Sequence, residues 1–438
     1  MNKADETNKI NETKIIESFP GGLVTPPPSK SISHRAVICA ALAGGESVIL
    51  NFGGSDDLDA TTTGVCSLLG TKTRVENGAL YVGSGGSSDA PGPAKNPGNG
   101  VRVVDCGESG STLRFLLPIA ALDGRETLFT GRGRLMNRPL SVYEKIFSRA
   151  GVAFEQSPEG VRVRGPMMKN PTEPFELPGD VSSQFVSGLL FALPLLGGGV
   201  IRLSTPLESR QYVRLTIDVM GRFGVAVDEG ENFYSVGGGR FHPASCRVEA
   251  DYSQAAFFLA ASALGRDVGV AGLDPKSAQG DRAILDVLGA MGAKISWSGG
   301  VVFARAAGRS GKLSAVTIDA RETPDLVPPT AALCCFCEGK SRIVNAGRLR
   351  LKESDRLSAL TSELKKLGAN IEEAGDSLSI TGVSRLRGGS VDAWGDHRIA
   401  MALAVAAIRC DGPVTLSGWR SVNKSYPGFW SDFEGERG

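Results

Sequence analysis

Six times along the chain, a polar cluster opens a run of about ten apolar residues rich in Ala and Leu, and the run stops at a glycine. The segments are SKSISHRAVICAALAG, ESGSTLRFLLPIAALDG, SSQFVSGLLFALPLLG, YSQAAFFLAASALG, PDLVPPTAALCCFCEG and DHRIAMALAVAAIRCDG. Their stops, Gly44, Gly124, Gly197, Gly265, Gly339 and Gly412, lie 80, 73, 68, 74 and 73 residues apart, so six units of about 73 account for nearly all 438 residues. A fixed period of this size sets the architecture before any motif does. Each run reads as a helix capped by Ser, Asp or Glu, with Gly taking the left-handed conformation that ends it. A helix without a polar face must be enclosed on all sides.

After every stop comes a short run rich in Val, Ile and Leu, namely ESVILNF, RETLFTG, GVIRLST, RDVGVAGL, SRIVNAG and PVTLSGW, which predicts a strand. An amphipathic helix follows. Five of these end in SLLG (Gly70), SRAG (Gly151), GRFG (Gly224), GAMG (Gly292) and KKLG (Gly368), and lead into alternating strand-like runs such as TKTRVE, VAFEQ and ANIEE. The sixth is cut short at NKSYPGFWSDF. The repeat is therefore β-α-β-α-β-β, with the chain's start and end sharing one unit. GSGGSSDAPGPAKNPGNG, from Gly83 to Gly100, reads as an exposed loop inside the first unit, because the period runs straight through it.

Composition narrows the function. With 48 basic and 47 acidic residues the formal charge is +1, and no basic stripe exists for nucleic acid, so an anionic ligand must be met by locally concentrated charge. Eight cysteines are scattered through apolar segments rather than spaced as a disulfide framework, which points to a reducing cytoplasm. Cys334, Cys335 and Cys337 fall in the apolar run TAALCCFC with no partner Cys or His cluster elsewhere, so they are expected to pack a core and no metal is expected. The polar N-terminus has no apolar stretch of a signal peptide. The longest apolar stretch, Val186 to Ile201, is broken by Pro194 and is shorter than the roughly 18 residues of a membrane span.

Charges stand where a purely structural repeat has none. Lys30, Arg35, Arg114, Asp325, Asp396, His397 and Arg398 surround the predicted helix starts, and loops add Arg134, Arg138, Lys352, Glu353, Arg356 and Lys424. Helix N-termini combined with Arg and Lys form anion sites. Surface ion pairing would explain any one of these charges, but it explains less well their recurrence at equivalent places in several repeats. No P-loop or dinucleotide fingerprint occurs. With only His34, His242 and His397 present, and His34 and His397 read as orienting groups, acid–base work falls to Asp, Glu and Lys.

The strings PSKSISHR, GESGSTLR, GRGRLMNRP, GDVSSQ, ESRQY, PDLVP, LKESDR, GDHRIAM and NKSYP, in this order from residue 28 to residue 427, resemble the motif series of the 5-enolpyruvylshikimate-3-phosphate synthase family of enolpyruvyl transferases. The resemblance implies an α+β fold of two lobes, each of three β-α-β-α-β-β units around buried helices, the inside-out α/β barrel of that type. Residues 1–29 with 247–438 would form the lobe carrying the chain ends and 30–246 the other, with the active site in the cleft between them and closure of the lobes on substrate. The implied reaction moves the enolpyruvyl group of phosphoenolpyruvate onto the 5-hydroxyl of shikimate 3-phosphate and releases phosphate, in the shikimate pathway to chorismate and aromatic amino acids. Addition and elimination pass through a tetrahedral intermediate.

By motif position, the resemblance assigns Lys30, Ser31, Arg35, Ser182, Ser183, Gln184, Ser209, Tyr212, Asp325 and Lys352 to shikimate 3-phosphate. It assigns Lys30, Gly110, Arg134, Gln184, Arg356, Arg398 and Lys424 to phosphoenolpyruvate. Asp325 is the candidate for the hydroxyl proton, Glu353 for the methylene proton, and Lys30 for the developing charge. No cofactor, nucleic acid or membrane is implied, and a cytoplasmic monomer inhibited by glyphosate is expected.

Glu108 and Arg348 stand where familiar members carry Asn, and Phe115 where Pro is frequent. Two other readings compete with it. The sister transferase acting on UDP-N-acetylglucosamine carries a Cys in the loop equivalent to GRGRLMNRP, and this loop has none. A non-catalytic anion-binding module would gain nothing from Asp325 and Glu353.

Overall fold

The computed structural model describes residues 13–16, 19–83, 100–168, 173–307 and 312–435. The expected glycine-, serine- and proline-rich loop, apart from its end residues Gly83 and Gly100, lies outside the described residues, as do the first twelve residues of the N-terminus.

In chain order the helices are α1 (Lys30–Leu42), α2 (Asp56–Leu69), α3 (Gly110–Ala120), α4 (Ser141–Arg149), α5 (Ser183–Ala192), α6 (Arg210–Arg222), α7 (Tyr252–Ala263), α8 (Ile284–Ala290), α9 (Val327–Cys334), α10 (Arg356–Lys366), α11 (His397–Ala407) and α12 (Phe429–Glu434). The odd-numbered ones are the six apolar runs of the repeat. They are enclosed as expected: every residue of α7 and α9 is buried, and on α3 and α5 only Ser111 and Gln184 are not. The even-numbered helices bury one face; α6, for instance, buries Val213, Leu215, Thr216, Val219 and Met220.

The strands form small sheets of one pattern. In the unit around α3, Arg102–Asp105 pairs in parallel with Glu126–Thr130, as a strand–helix–strand crossover requires, and Glu126–Thr130 pairs antiparallel with Gly160–Arg164, which pairs antiparallel with Ala153–Ser157. Thr13–Ile16 and Val414–Ser417 pair antiparallel, so the chain's start and end do share a sheet.

A linear reading of the repeat fails at two strands. Gly22–Val24, just before α1, pairs instead with Val268–Ala271 after α7, and Ser245–Arg247, just before α7, pairs with Ser47–Leu50 after α1. These first strands are exchanged, and the chain divides accordingly into two compact units, Met1–Pro27 with Glu249–Gly438 (the terminal unit) and Pro28–Val248 (the central unit). The crossings fall two residues from the positions read from sequence because hydrogen bonds hold the flanking residues. Val248 N donates to Leu50 O and Asn51 Nδ2 to Val248 O, whereas Asp251 N donates to Pro27 O.

The glycine stops divide by helix type. All five ending amphipathic helices, Gly70, Gly151, Gly224, Gly292 and Gly368, are left-handed, with φ between 71° and 95°. Among the stops of the buried helices, Gly44, Gly197, Gly265 and Gly339 are left-handed, but Gly124 and Gly412 are not. There α3 ends at Ala120 and α11 at Ala407, and a turn intervenes before the glycine.

In the central unit, α3 and α5 pack closely, and Tyr143 of α4 donates its hydroxyl to Arg114 O at 2.7 Å beside them. A Cβ on Gly188 of α5 would collide with both the Tyr143 hydroxyl and the Arg114 carbonyl. Gly188→Ala is therefore expected to cost about 1–3 kcal/mol of stability, the usual size of overpacking, read as a lowered unfolding midpoint. Adding Tyr143→Phe should return part of the loss.

Candidate active site

Polar groups gather where the helices of the central unit begin. Lys30 opens α1 and donates to Asp57 Oδ2, in the first turn of α2, at 2.7 Å. One turn on, His34 Nδ1 lies 2.7 Å from Thr61 Oγ1, which is 2.5 Å from Thr112 Oγ1, and Thr112 donates to Ser109 Oγ at 2.7 Å. This chain of hydroxyls ties α1, α2 and α3 together at their starts. Burial, followed by the charge of Lys30, pushes the His34 imidazole down to about 3, so it stands neutral as an orienting group.

Arg35 is buried and donates to three partners: Nε to Thr216 Oγ1 (2.7 Å), Nη1 to Ser31 O (2.7 Å) and Nη2 to Tyr212 O (2.9 Å). Its guanidinium stacks 5.1 Å from the centre of the Phe115 ring, which gives that departure from the family pattern a supporting role. Ser182 caps α5 by accepting from Gln184 N. Gln184 in turn accepts from Arg114 Nη1 at 2.8 Å and donates to Ser111 Oγ at 3.0 Å, joining the starts of α5 and α3. Ser209, at the head of α6, holds φ 56°, a left-handed conformation costly for a residue other than glycine and often kept at functional sites. Its carbonyl accepts from Tyr212 N at 3.0 Å.

Gly110 leaves room for two cations. A Cβ there would lie 2.7 Å from Arg138 Nη1 and 3.0 Å from Arg114 Nη1. Of the two loop arginines, Arg134 and Arg138, it is Arg138 that reaches Gly110. Between them stands the single turn Leu135–Asn137, pinned by buried Leu135 and Met136, and this leaves Arg134 exposed at one end and Arg138 buried at the other. Motif position assigns neither Arg138 nor Arg114 to a substrate; the sequence signal for Arg138 is a second arginine four residues on, next to Pro139. The Glu108 carboxylate packs on the same loop, close enough that a Cβ on Gly133 would lie 2.8 Å from its Oε1.

The terminal unit holds a second group, centred on Arg356 at the start of α10. Its side chain is only 2% exposed. Nε donates to Asp396 Oδ2 at 2.8 Å, Nη1 to Asp325 Oδ1 at 3.0 Å and Nη2 to Glu353 Oε2 at 2.8 Å. Asp325, on the single turn Pro324–Leu326 before α9, also accepts from Arg398 Nη2 at 3.0 Å, and Lys352 Nζ is 3.8 Å away. Lys424 Nζ stands 3.8 Å from the other oxygen of Glu353. Asp396 is fully buried, accepts from Ser354 Oγ at 3.1 Å, and caps α11 through Arg398 N at 2.9 Å. Arg348 donates to Arg321 O at 2.7 Å.

Electrostatics in this group are opposed and unequal. Burial would raise the Asp325 carboxyl, but Arg398, Lys352 and Arg356 together hold it far below the ordinary carboxylate range. Burial pushes Lys352 down to about 8 despite the pull of Asp325, and Arg356 adds to the fall. Arg356 itself is driven upward, because its three carboxylates overcome the burial penalty. Among the described residues no set of three or more His, Cys, Asp or Glu is placed to hold a metal ion, and no helix is long and apolar enough to cross a membrane.

The family model for EPSP synthase (3-phosphoshikimate 1-carboxyvinyltransferase) matches residues 19–433. A 3-phosphoshikimate 1-carboxyvinyltransferase of Clostridium kluyveri is 44% identical over 429 residues, covering 97% of this chain and 96% of that one. Its counterpart in Clostridioides difficile is 42% identical over 434 residues, covering 97% of each. An EPSP synthase structure from Acinetobacter baumannii superposes with a TM-score of 0.74 at 24% identity over 96% of this chain and 98% of that one, a likeness of fold.

Lys352 offers a test of the electrostatics alone. Its ammonium should titrate with a midpoint near 8 in lysine 13Cε spectra, in a signal absent from Lys352→Met. Asp325→Asn should move that midpoint lower still, since Asp325 is what pulls it up. Because the folded value lies below the ordinary ~10.4, Lys352 costs stability at pH 8 and below, and the cost fades as pH rises from about 8 toward 10.4.

Proposed function

The chain belongs to the 5-enolpyruvylshikimate-3-phosphate synthase family and so transfers the enolpyruvyl group of phosphoenolpyruvate to shikimate 3-phosphate with release of phosphate, and we propose that its residues divide this reaction as follows. Ser182, Ser183, Ser209 and Tyr212 hold the acceptor's phosphate; Arg35, with Ser31 beside it, holds the carboxylate, and Lys352 assists. Lys30, Gly110, Gln184, Arg356, Arg398 and Lys424 serve phosphoenolpyruvate. Arg134 serves it by motif position, and Arg138 joins that set, supported by its meeting with Gly110 and Arg114. The dense guanidinium content suits a reaction between two substrates that each carry a phosphate and a carboxylate.

Addition needs a proton on the methylene carbon as the 5-hydroxyl oxygen attacks the neighbouring carbon and loses its own. Elimination then expels phosphate and takes a proton back from the methyl group. Asp325 accepts the hydroxyl proton and Glu353 gives and retakes the carbon-bound one, while Lys30 stabilises charge on the phosphate. The observation that carries these roles is the placement of both carboxylates on the one guanidinium of Arg356. That placement also regulates them. An anion that claims Arg398 and Arg356 weakens their hold on Asp325 and raises its proton affinity, so donor binding makes Asp325 a better base. The working form is a monomer in a reducing cytoplasm, a reading supported by a motif set complete within one chain and by eight free cysteines.

Phosphate release should require shikimate 3-phosphate and phosphoenolpyruvate together and fail with UDP-N-acetylglucosamine as acceptor. Asp325→Ala and Glu353→Ala should each lower kcat by ~10²–10⁴, the usual loss of a general acid or base. Turnover within about tenfold of the parent would remove that residue from the proton path.

The two loop arginines are tested in a second assay. Arg134→Ala and Arg138→Ala should each raise KM for phosphoenolpyruvate about tenfold or more, the worth of a charge-assisted hydrogen bond. A KM within about twofold of the parent would remove that arginine from the set.

A further inference from the structure

A buried hydroxyl is costly unless it is hydrogen-bonded, and an apolar side chain would fill the same space without that cost. Two hydroxyls nevertheless stand in the core of the central unit: Ser187 on α5, between buried Val186 and Gly188, and Thr216 on the buried face of α6. Their oxygens are 2.7 Å apart, and Thr216 Oγ1 accepts from Arg35 Nε at 2.7 Å. Thr216 donates in turn to Tyr212 O, one helical turn back, at 3.0 Å. A hydroxyl has one proton to give and two lone pairs to receive with. With its proton on Tyr212 O, Thr216 accepts from both Arg35 and Ser187, and its capacity is filled. The reaction as assigned uses Arg35 and Tyr212 but gives neither of these hydroxyls a task.

We propose that Thr216, backed by Ser187, is a positioning residue for the acceptor: it holds the Arg35 guanidinium in the orientation that receives a carboxylate. This rests on the assignment of Arg35 to the carboxylate of shikimate 3-phosphate. A guanidinium has five N–H groups in a rigid fork. Here Nε–H goes to Thr216, one N–H of Nη1 to Ser31 O and one of Nη2 to Tyr212 O. One N–H is left on each terminal nitrogen, enough for a two-point grip on a carboxylate. Tying Nε stops the planar fork from turning, so its rotational freedom is already lost before the ligand arrives. All three protein acceptors are neutral. Arg356 meets three carboxylates and shares its charge among them, whereas Arg35 is held in place by groups that leave its charge to the ligand.

Thr216→Val keeps the shape of the side chain and removes the hydroxyl. It should raise KM for shikimate 3-phosphate about tenfold, the size of a lost hydrogen bond to a charged group, and leave KM for phosphoenolpyruvate, read at saturating acceptor, within about twofold. Thr216→Ser returns the hydroxyl and should bring KM for shikimate 3-phosphate back to within about twofold of the parent. A shikimate 3-phosphate analogue with a hydroxymethyl group in place of the carboxylate supplies the control. Its dissociation constant should be the same for the parent and Thr216→Val, because the hydroxyl acts only through the carboxylate.

Equal losses for the two substrates, equal weakening of the analogue, or no rescue by Ser would each mean a general disturbance of the core and overturn the proposal. If Thr216→Val does not fold, Thr216→Ala is read on the same terms. Arg35→Lys separates the two levels. If it leaves KM for shikimate 3-phosphate unchanged, the assignment of Arg35 fails and the proposal with it; if it raises that KM while Thr216→Val matches the parent, only the role of Thr216 falls.

Discussion

A helix buried on every side, as α7 is from Tyr252 to Ala263, can meet water or ligand only at its ends, and the rest of the structure follows from that constraint. The N-terminal end is the useful one, because free N–H groups and the positive end of the macrodipole collect there. Ser109, Ser182, Asp251 and Asp396 satisfy some of those donors as caps. What remains draws anions, and the side chains assigned to the reaction lie within the first two turns of a helix, in short 3-10 turns or in loops. The sheets do the enclosing and carry none of them.

Concentrating cations for an anionic substrate creates a difficulty when no substrate is present. A guanidinium as buried as that of Arg356 loses several kcal/mol of hydration, and only close counterions offset this. Three carboxylates supply them, on different terms. Asp396 is wholly buried and also caps α11, so its attachment is permanent. Asp325 and Glu353 keep an exposed edge, 18% and 12%, and can trade their hold on Arg356 for an incoming anion. Carboxylates in an anion site thus keep the cations in place beforehand, and the roles proposed for Asp325 and Glu353 add a second end, release for proton transfer when the anion arrives.

The repeat was legible because its signal is strong at every level: an apolar run too long to expose, a left-handed glycine after each amphipathic helix, and a Val- and Ile-rich strand between. The exchange of Gly22–Val24 with Ser245–Arg247 was not, since both strands are three residues long and either would fit a parallel edge; only hydrogen bonding partners distinguish them. The place of Arg138 beside Gly110 stayed hidden for a related reason. A motif gives the order of Arg134 and Arg138, but which one faces inward depends on the burial of Leu135 and Met136 across one turn. Arg114 and Phe115 were visible as residues, yet their work on Gln184 and Arg35 is tertiary. The charged starts of α10 and α11 were readable as a class, because Lys and Arg beside a wholly apolar helix have few structural uses.

Asp281 and Asp325 make the same point about chemistry. Both are aspartates on single turns against α7, and burial raises both. Asp325 meets three cations and is held ionised, able only to accept a proton; burial, with Asp325 nearby, pushes Asp281 up to about 7. Opposite outcomes for one residue type within one cluster are how proteins assign distinct roles to like groups. The string PDLVP carried a role for Asp325 only through the resemblance; what separates the two carboxyls physically is the number of cations each one faces, and those cations come from other turns of the chain.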